Sequence, residues 1–187
     1  MTLLTRLTRP IARPFRTNPI NRVPSPTWAR TVPWLSIMLA SLLPSLPVVA
    51  SAPVLPPFGF ILLVAWCQIR PGVLPVWIGL PLGLFDDIFS GQPFGSAGLL
   101  WSVTTIGLDM IETRLPWRSY WLDWLVAAGS VCAVLLLGLV FANASGGTAP
   151  VRVLVPGLVS AILLYPLAGR LVSALDRLRL LPIVELD

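Results

Sequence analysis

Residues 79–100 read Gly79-Leu80-Pro81-Leu82-Gly83-Leu84-Phe85-Asp86-Asp87-Ile88-Phe89-Ser90-Gly91-Gln92-Pro93-Phe94-Gly95-Ser96-Ala97-Gly98-Leu99-Leu100. Two adjacent carboxylates lie inside an apolar run punctuated by glycine. An aspartate at the centre of a membrane-spanning helix costs about 2.5–3.5 kcal/mol on insertion scales, so a chain that carries one gives it a partner or a use. On a helix, Gly79, Gly83, Asp87 and Gly91 recur every four residues and form one slowly drifting stripe. Small residues at that spacing let another helix approach closely. Asp87 is then expected to face protein, and Asp86, rotated by about 100°, to face a different neighbour. Pro81 is expected to loosen this helix by removing the bond to residue 77. Ser90-Gly91-Gln92-Pro93 reads as a tight turn, which places both aspartates beside a short hairpin between two apolar helices.

The surroundings decide the class. The chain has 187 residues, of which 56% are apolar and 11% charged, against about 25% charged in an ordinary soluble domain; its mean hydropathy is +0.84. Composition therefore predicts an all-α integral membrane protein, one membrane domain without room for a large soluble one. The formal charge is +5, but the basic residues are arginines that flank apolar runs and build no folded basic face. Nucleic-acid binding is not expected. Histidine is absent, which removes the commonest metal ligand and general base. Cys67 and Cys132 sit in apolar runs without metal-ligand spacing and read as small buried residues.

Apolar runs bounded by arginine, proline and glycine predict six transmembrane helices at about 32–52, 56–69, 72–90, 94–112, 124–142 and 152–172. Residues 1–30 hold six arginines, five prolines and no acid, and are expected to form a disordered cytoplasmic tail that contacts membrane lipids at most. The six-helix domain is placed at 31–175 and a short cytoplasmic tail at 176–187. With both termini inside, the tail arginines, Arg70, Arg114, Arg118, Arg170, Arg177 and Arg179 fall on the cytoplasmic side, and Arg152 alone falls outside. That partition obeys the positive-inside rule. Ala50-Ser51-Ala52 resembles a leader cleavage signature, yet the basic lead and the apolar run are both too long for one.

Trp117, Tyr120, Trp121 and Trp124 follow at i, i+3, i+4 and i+7, the spacing of a short interfacial helix with one aromatic face in the headgroup layer. Asp109 and Glu112 are expected to pair with Arg114 or Arg118. Acid–base or metal chemistry at Asp86 and Asp87 would recruit further polar residues at the same depth, and few exist. The expectation is a protein that is not an enzyme and carries neither metal nor cofactor. The alternative is a small-molecule-binding or transport subunit whose Asp86 and Asp87 line a cavity.

The segment Gly83 to Gly95 resembles the signature of the MreD family of rod shape-determining membrane proteins: an apolar helix ending in an aspartate, two apolar residues, a small or polar residue, Gly, three residues, Gly, then an apolar helix. Asp87, Gly91 and Gly95 take its positions. A proline-bounded second span ending in a basic residue, Pro56 to Arg70, and a last span with Pro166 followed by Arg170 extend the resemblance. It implies a multi-pass subunit of the bacterial inner membrane, part of the cell-elongation machinery that regulates lateral peptidoglycan synthesis and cell shape. Its direct partner would be MreC and its indirect ones MreB and the peptidoglycan polymerase and transpeptidase. The helix arrangement would be similar to the substrate-binding subunits of energy-coupling-factor vitamin transporters. Asp86 and the long basic tail depart from the family pattern. Gly79, Gly83, Gly91 and Gly95 are expected to form the surface that grips the helix of MreC, and Asp87 to fix local geometry through bonds to helix ends or Ser90. On this view Gly83→Leu or Gly91→Leu disrupts co-purification with MreC and rounds rod-shaped cells, and Asp87→Asn does less.

Overall fold

A computed structural model describes residues 22–23, 26–45, 55–114, 119–180 and 184–185. Six helices follow in order: α1 Pro26–Leu42, α2 Phe58–Ile69, α3 Gly79–Ser90, α4 Ser96–Arg114, α5 Tyr120–Ala144 and α6 Leu154–Arg179. A two-residue antiparallel ladder joins β1, Arg22–Val23, to β2, Val184–Glu185, near the two ends of the chain. Among the described residues the secondary structure is helical apart from that ladder.

The helix α2 lies at the centre. Gly59 through Trp66 and Gln68 are all buried, as expected of a helix that is apolar all round. It packs on α1 and α6, while α3 packs chiefly on α4 and α5 on α6. Ser36 on α1 accepts a hydrogen bond from Trp66 Nε1 at 3.0 Å and donates to the Pro33 carbonyl at 2.8 Å. That chain satisfies the indole N–H inside the bundle.

Among the described residues two helices are long and apolar enough to cross a membrane: α5, and α6 together with the single helical turn Val151–Val153 before it. Both are mostly uncovered, with only 17% and 22% of their most apolar windows buried. Leu163, Val140, Leu125 and Leu167 point outward. An apolar surface this large is unstable against water and suits contact with lipid. By contrast α2 and α3 have 12 residues each, about 18 Å of helix against about 30 Å of hydrocarbon.

Several expected boundaries shift. The first helix starts at Pro26, inside the segment read as tail, and its α-helical part ends at Leu42. Most of residues 1–30, Ala50-Ser51-Ala52, Trp117 and Arg118 lie outside the described residues. The third helix begins at Gly79, after a helical turn at Val76–Ile78, seven residues later than expected. Pro81 therefore falls in the first turn, where its missing N–H has no helical acceptor to lose. The aromatic segment is no separate helix, because Tyr120, Trp121 and Trp124 open α5 itself. At the other end α6 runs through Arg179, so residues 176–179, read as tail, continue the helix.

Candidate functional site

The hairpin of α3 and α4 holds the aspartate motif. Gly91 ends α3 in the left-handed conformation at φ +67°, and Gly95, at φ +94°, precedes α4. Glycine adopts both without the Cβ penalty. The Gly95 carbonyl accepts the first bond of α4, from Leu99 N–H at 2.9 Å. Gly91 and Gly95 thus shape the turn and do not prolong the stripe of Gly79 and Gly83.

Asp87, only 4% exposed, points from α3 into the open N-terminus of α4. Its Oδ2 accepts from the N–H of Gly95 at 2.9 Å and of Gly98 at 3.3 Å. Oδ1 accepts from the N–H of Ala97 at 3.0 Å and from Ser96 Oγ at 3.3 Å. The first turn of any helix leaves N–H groups without partners, and a negative charge there is favoured by the helix dipole. Since α4 has no acidic residue in its own first turn, the preceding helix supplies one. The expected bond to a helix end is present, but its hydroxyl partner is Ser96, not Ser90.

The rest of the hairpin is a close backbone contact. A Cβ on Gly83 would stand 2.5 Å from the Ala97 carbonyl oxygen, and one on Gly79 2.5 Å from that of Trp101. The glycine face is therefore filled by α4 of the same chain, and it offers no groove to an outside helix. This corrects the expectation that Gly79 and Gly83 grip a partner directly.

Asp86, half-buried, turns toward α1 and Ser41. The Ser41 hydroxyl is buried, in space that the absence of a side chain on Gly59 opens. The two aspartates thus serve different neighbours, as their rotation about the helix requires. With four donors on its two oxygens, Asp87 keeps little acceptor capacity for a ligand.

At the opposite end of the bundle a second polar cluster ties α2 to α6. Asp176, 2% exposed, accepts from Arg70 Nε at 2.6 Å on Oδ2 and from Arg179 Nε at 2.6 Å on Oδ1. Arg179 also stacks 5.7 Å above the centre of the Trp66 ring, a cation–π contact. Deeper along the same pair, the Tyr165 hydroxyl donates to Gln68 Oε1. Asp109 and Glu112 form no ion pair with Arg114; together with Arg70 they border a small crevice under the loop from α2 to α3.

A third contact explains Pro166. Proline in the middle of α6 cannot donate to the carbonyl of Ile162, and Trp124 Nε1 donates to that oxygen at 3.3 Å instead. Of the expected aromatic group, Trp124 acts in packing, whereas Tyr120 and Trp121 are 61% and 71% exposed. The missing N–H of Pro166 was the signal that a donor had to come from elsewhere.

Among the described residues no three metal-ligating side chains come together, and both cysteines are free thiols. No family model matches the chain, and no curated protein and no solved structure is significantly similar to it.

Proposed function

We propose that this chain is a non-enzymatic, multi-pass scaffold subunit of the bacterial inner membrane, a member of the MreD type that binds MreC and supports the cell-elongation machinery. On this reading the six helical segments alternate across the bilayer, the short α3 extended by the turn Val76–Ile78 and the short α2 enclosed by its neighbours, with both termini and twelve of thirteen arginines in the cytoplasm. The ends of α2 and α6 meet at Arg70 and Asp176, and the start of α5 faces the end of α6, as alternation requires. The turn 93–96 in turn lies against the end of α5.

One observation carries the reading. The Asp-x-x-x-Gly-x-x-x-Gly pattern, on which the resemblance rests, is a single structural device in which Asp87 caps α4 across a turn that Gly91 and Gly95 make possible. Such a device holds two helices in one fixed arrangement and performs no chemistry. The surface it presents is the turn, where Phe94 is 75% exposed and borders a cleft with Leu99 and Phe141. The transmembrane helix of MreC docks there, at the outer end of the bundle.

Affinity purification of the tagged chain from membranes that contain the MreC of its own host tests this. MreC is retained by the wild type and lost with Phe94→Asp, which leaves the Asp87 contacts in place. Absence of MreC from the wild-type complex contradicts the proposal.

A further inference from the structure

Between the first turns of α5 and the last turns of α6 lies a cleft of about 840 Å³. Its wall changes character along α6: Tyr165, Pro166 and Gly169 line the deep part, and Arg170, Ser173 and Arg177 the part toward the helix end. The two arginines, seven residues apart, share one helix face about 10 Å long. Arg179 and Arg70 are committed to Asp176; among the described residues Arg170 and Arg177 form no ion pair. Among the described residues that line the cleft, Asp123 is the one acid.

Depth supplies the chemistry of the occupant. Arg152 belongs in water, so the hydrocarbon core starts near Val153 and, at about 30 Å, ends about 20 residues on, near Ser173. Arg170 then lies about one turn inside that boundary and Arg177 about one turn beyond it. Arginines at such depths carry their guanidinium groups toward the headgroup layer. Both charges thus converge on the level of the lipid phosphates, and the apolar wall below them runs alongside the acyl chains. The first turn of α5, which carries Tyr120 and Asp123, brings the positive end of a helix dipole to the same cleft.

We propose that the α5–α6 cleft binds the phosphate of an anionic phospholipid from the cytoplasmic leaflet, with Arg170 and Arg177 as its charge partners. The inference rests on the alternating helix arrangement proposed above and not on any protein partner.

Native mass spectrometry of the delipidated full chain, titrated with phosphatidylglycerol or phosphatidylcholine, tests it. The wild type takes up phosphatidylglycerol at lower concentration than phosphatidylcholine. In the Arg170→Gln/Arg177→Gln variant the concentration needed rises about tenfold or more, the scale set by two surface arginines. Arg114→Gln, outside the cleft, leaves uptake unchanged. Ser173→Trp keeps both charges but fills the cleft and lowers uptake as the double variant does, which separates loss of the site from loss of the fold. Equal uptake of the two lipids, wild-type uptake by both cleft variants, or displacement of the lipid by equimolar inorganic phosphate overturns the proposal. Loss of MreC from the purified complex does not bear on these readouts.

Discussion

The carboxylate of Asp87 and the backbone N–H of Ala97 lie 3.0 Å apart, so an acid near the end of one helix closes the first turn of the next. Ten residues separate them in sequence, and the turn through Gly91 and Gly95 makes the contact. Because both oxygens accept, the carboxylate works as a pair of acceptors at one helix terminus. Hydrogen bonds to a charged group contribute about 1.5–3 kcal/mol each when buried, and more is lost when the donors are left unpaired.

Asp87→Asn tests the need for two acceptors. An amide keeps one acceptor oxygen and turns an NH2 group toward backbone N–H donors. The variant is expected to lose about 2 kcal/mol of stability, read as a lower midpoint in unfolding by sodium dodecyl sulfate from mild detergent. The sequence ranks Asp87→Asn below the glycine changes for binding of MreC, and stability is a separate readout. Stability equal to the wild type would show that one acceptor suffices.

Gly83→Ala probes the backbone contact between α3 and α4. Its Cβ would meet the Ala97 carbonyl at 2.5 Å, so the helices must separate, at a cost of about 1–3 kcal/mol, the usual range for overpacking. Gly129→Ala, with open space around the same position of α5, is expected to change stability by no more than about 1 kcal/mol. The same unfolding assay compares them, and equal effects would refute the close approach.

Asp176→Ala removes the carboxylate shared by Arg70 and Arg179. The Arg70 side chain is 52% exposed and can return to water, but that of Arg179 is only 11% exposed. The loss is expected to be about 3 kcal/mol, the scale for an orphaned buried charge. Arg70→Gln alone should cost about 1 kcal/mol or less, as for a partly exposed pair. Unfolding midpoints of the two variants decide the ranking.

Trp124 and Pro166 are coupled through one oxygen. Trp124→Phe leaves the Ile162 carbonyl without its donor and is expected to cost about 1 kcal/mol. In a Pro166→Ala background the restored N–H serves that carbonyl, and Trp124→Phe costs less. A double-mutant cycle measures the difference; additivity would rule out the compensation.

Legibility followed the range of the interactions. Apolar runs bounded by arginine, proline and glycine placed α2 and α4 within about two residues at each end, since hydropathy and breakers are local signals. The turn at Ser90–Pro93 was visible for the same reason, whereas the grouping of Asp87 with Gly91 and Gly95, and the bond from Asp87 to a helix end, came with the family resemblance. What fills the glycine face was misjudged, because a stripe of small residues records close approach and not whose helix approaches. Arg70 and Asp176 lie 106 residues apart and Gln68 and Tyr165 97, and pairs at that separation leave no local trace. The late start of α3 had a signal in Pro71-Gly72 and Pro75, three breakers within five residues.

Sidedness tests the account most directly, because scaffold, partner surface and lipid cleft all depend on which ends of the helices share a compartment. In a background with Cys67 and Cys132 replaced by alanine, Thr148→Cys in the loop after α5 and Thr113→Cys at the end of α4 are labelled with a membrane-impermeant maleimide. The account predicts that residue 148 reacts in intact cells and residue 113 only after the membrane is opened. Reaction of both from the same side would contradict it.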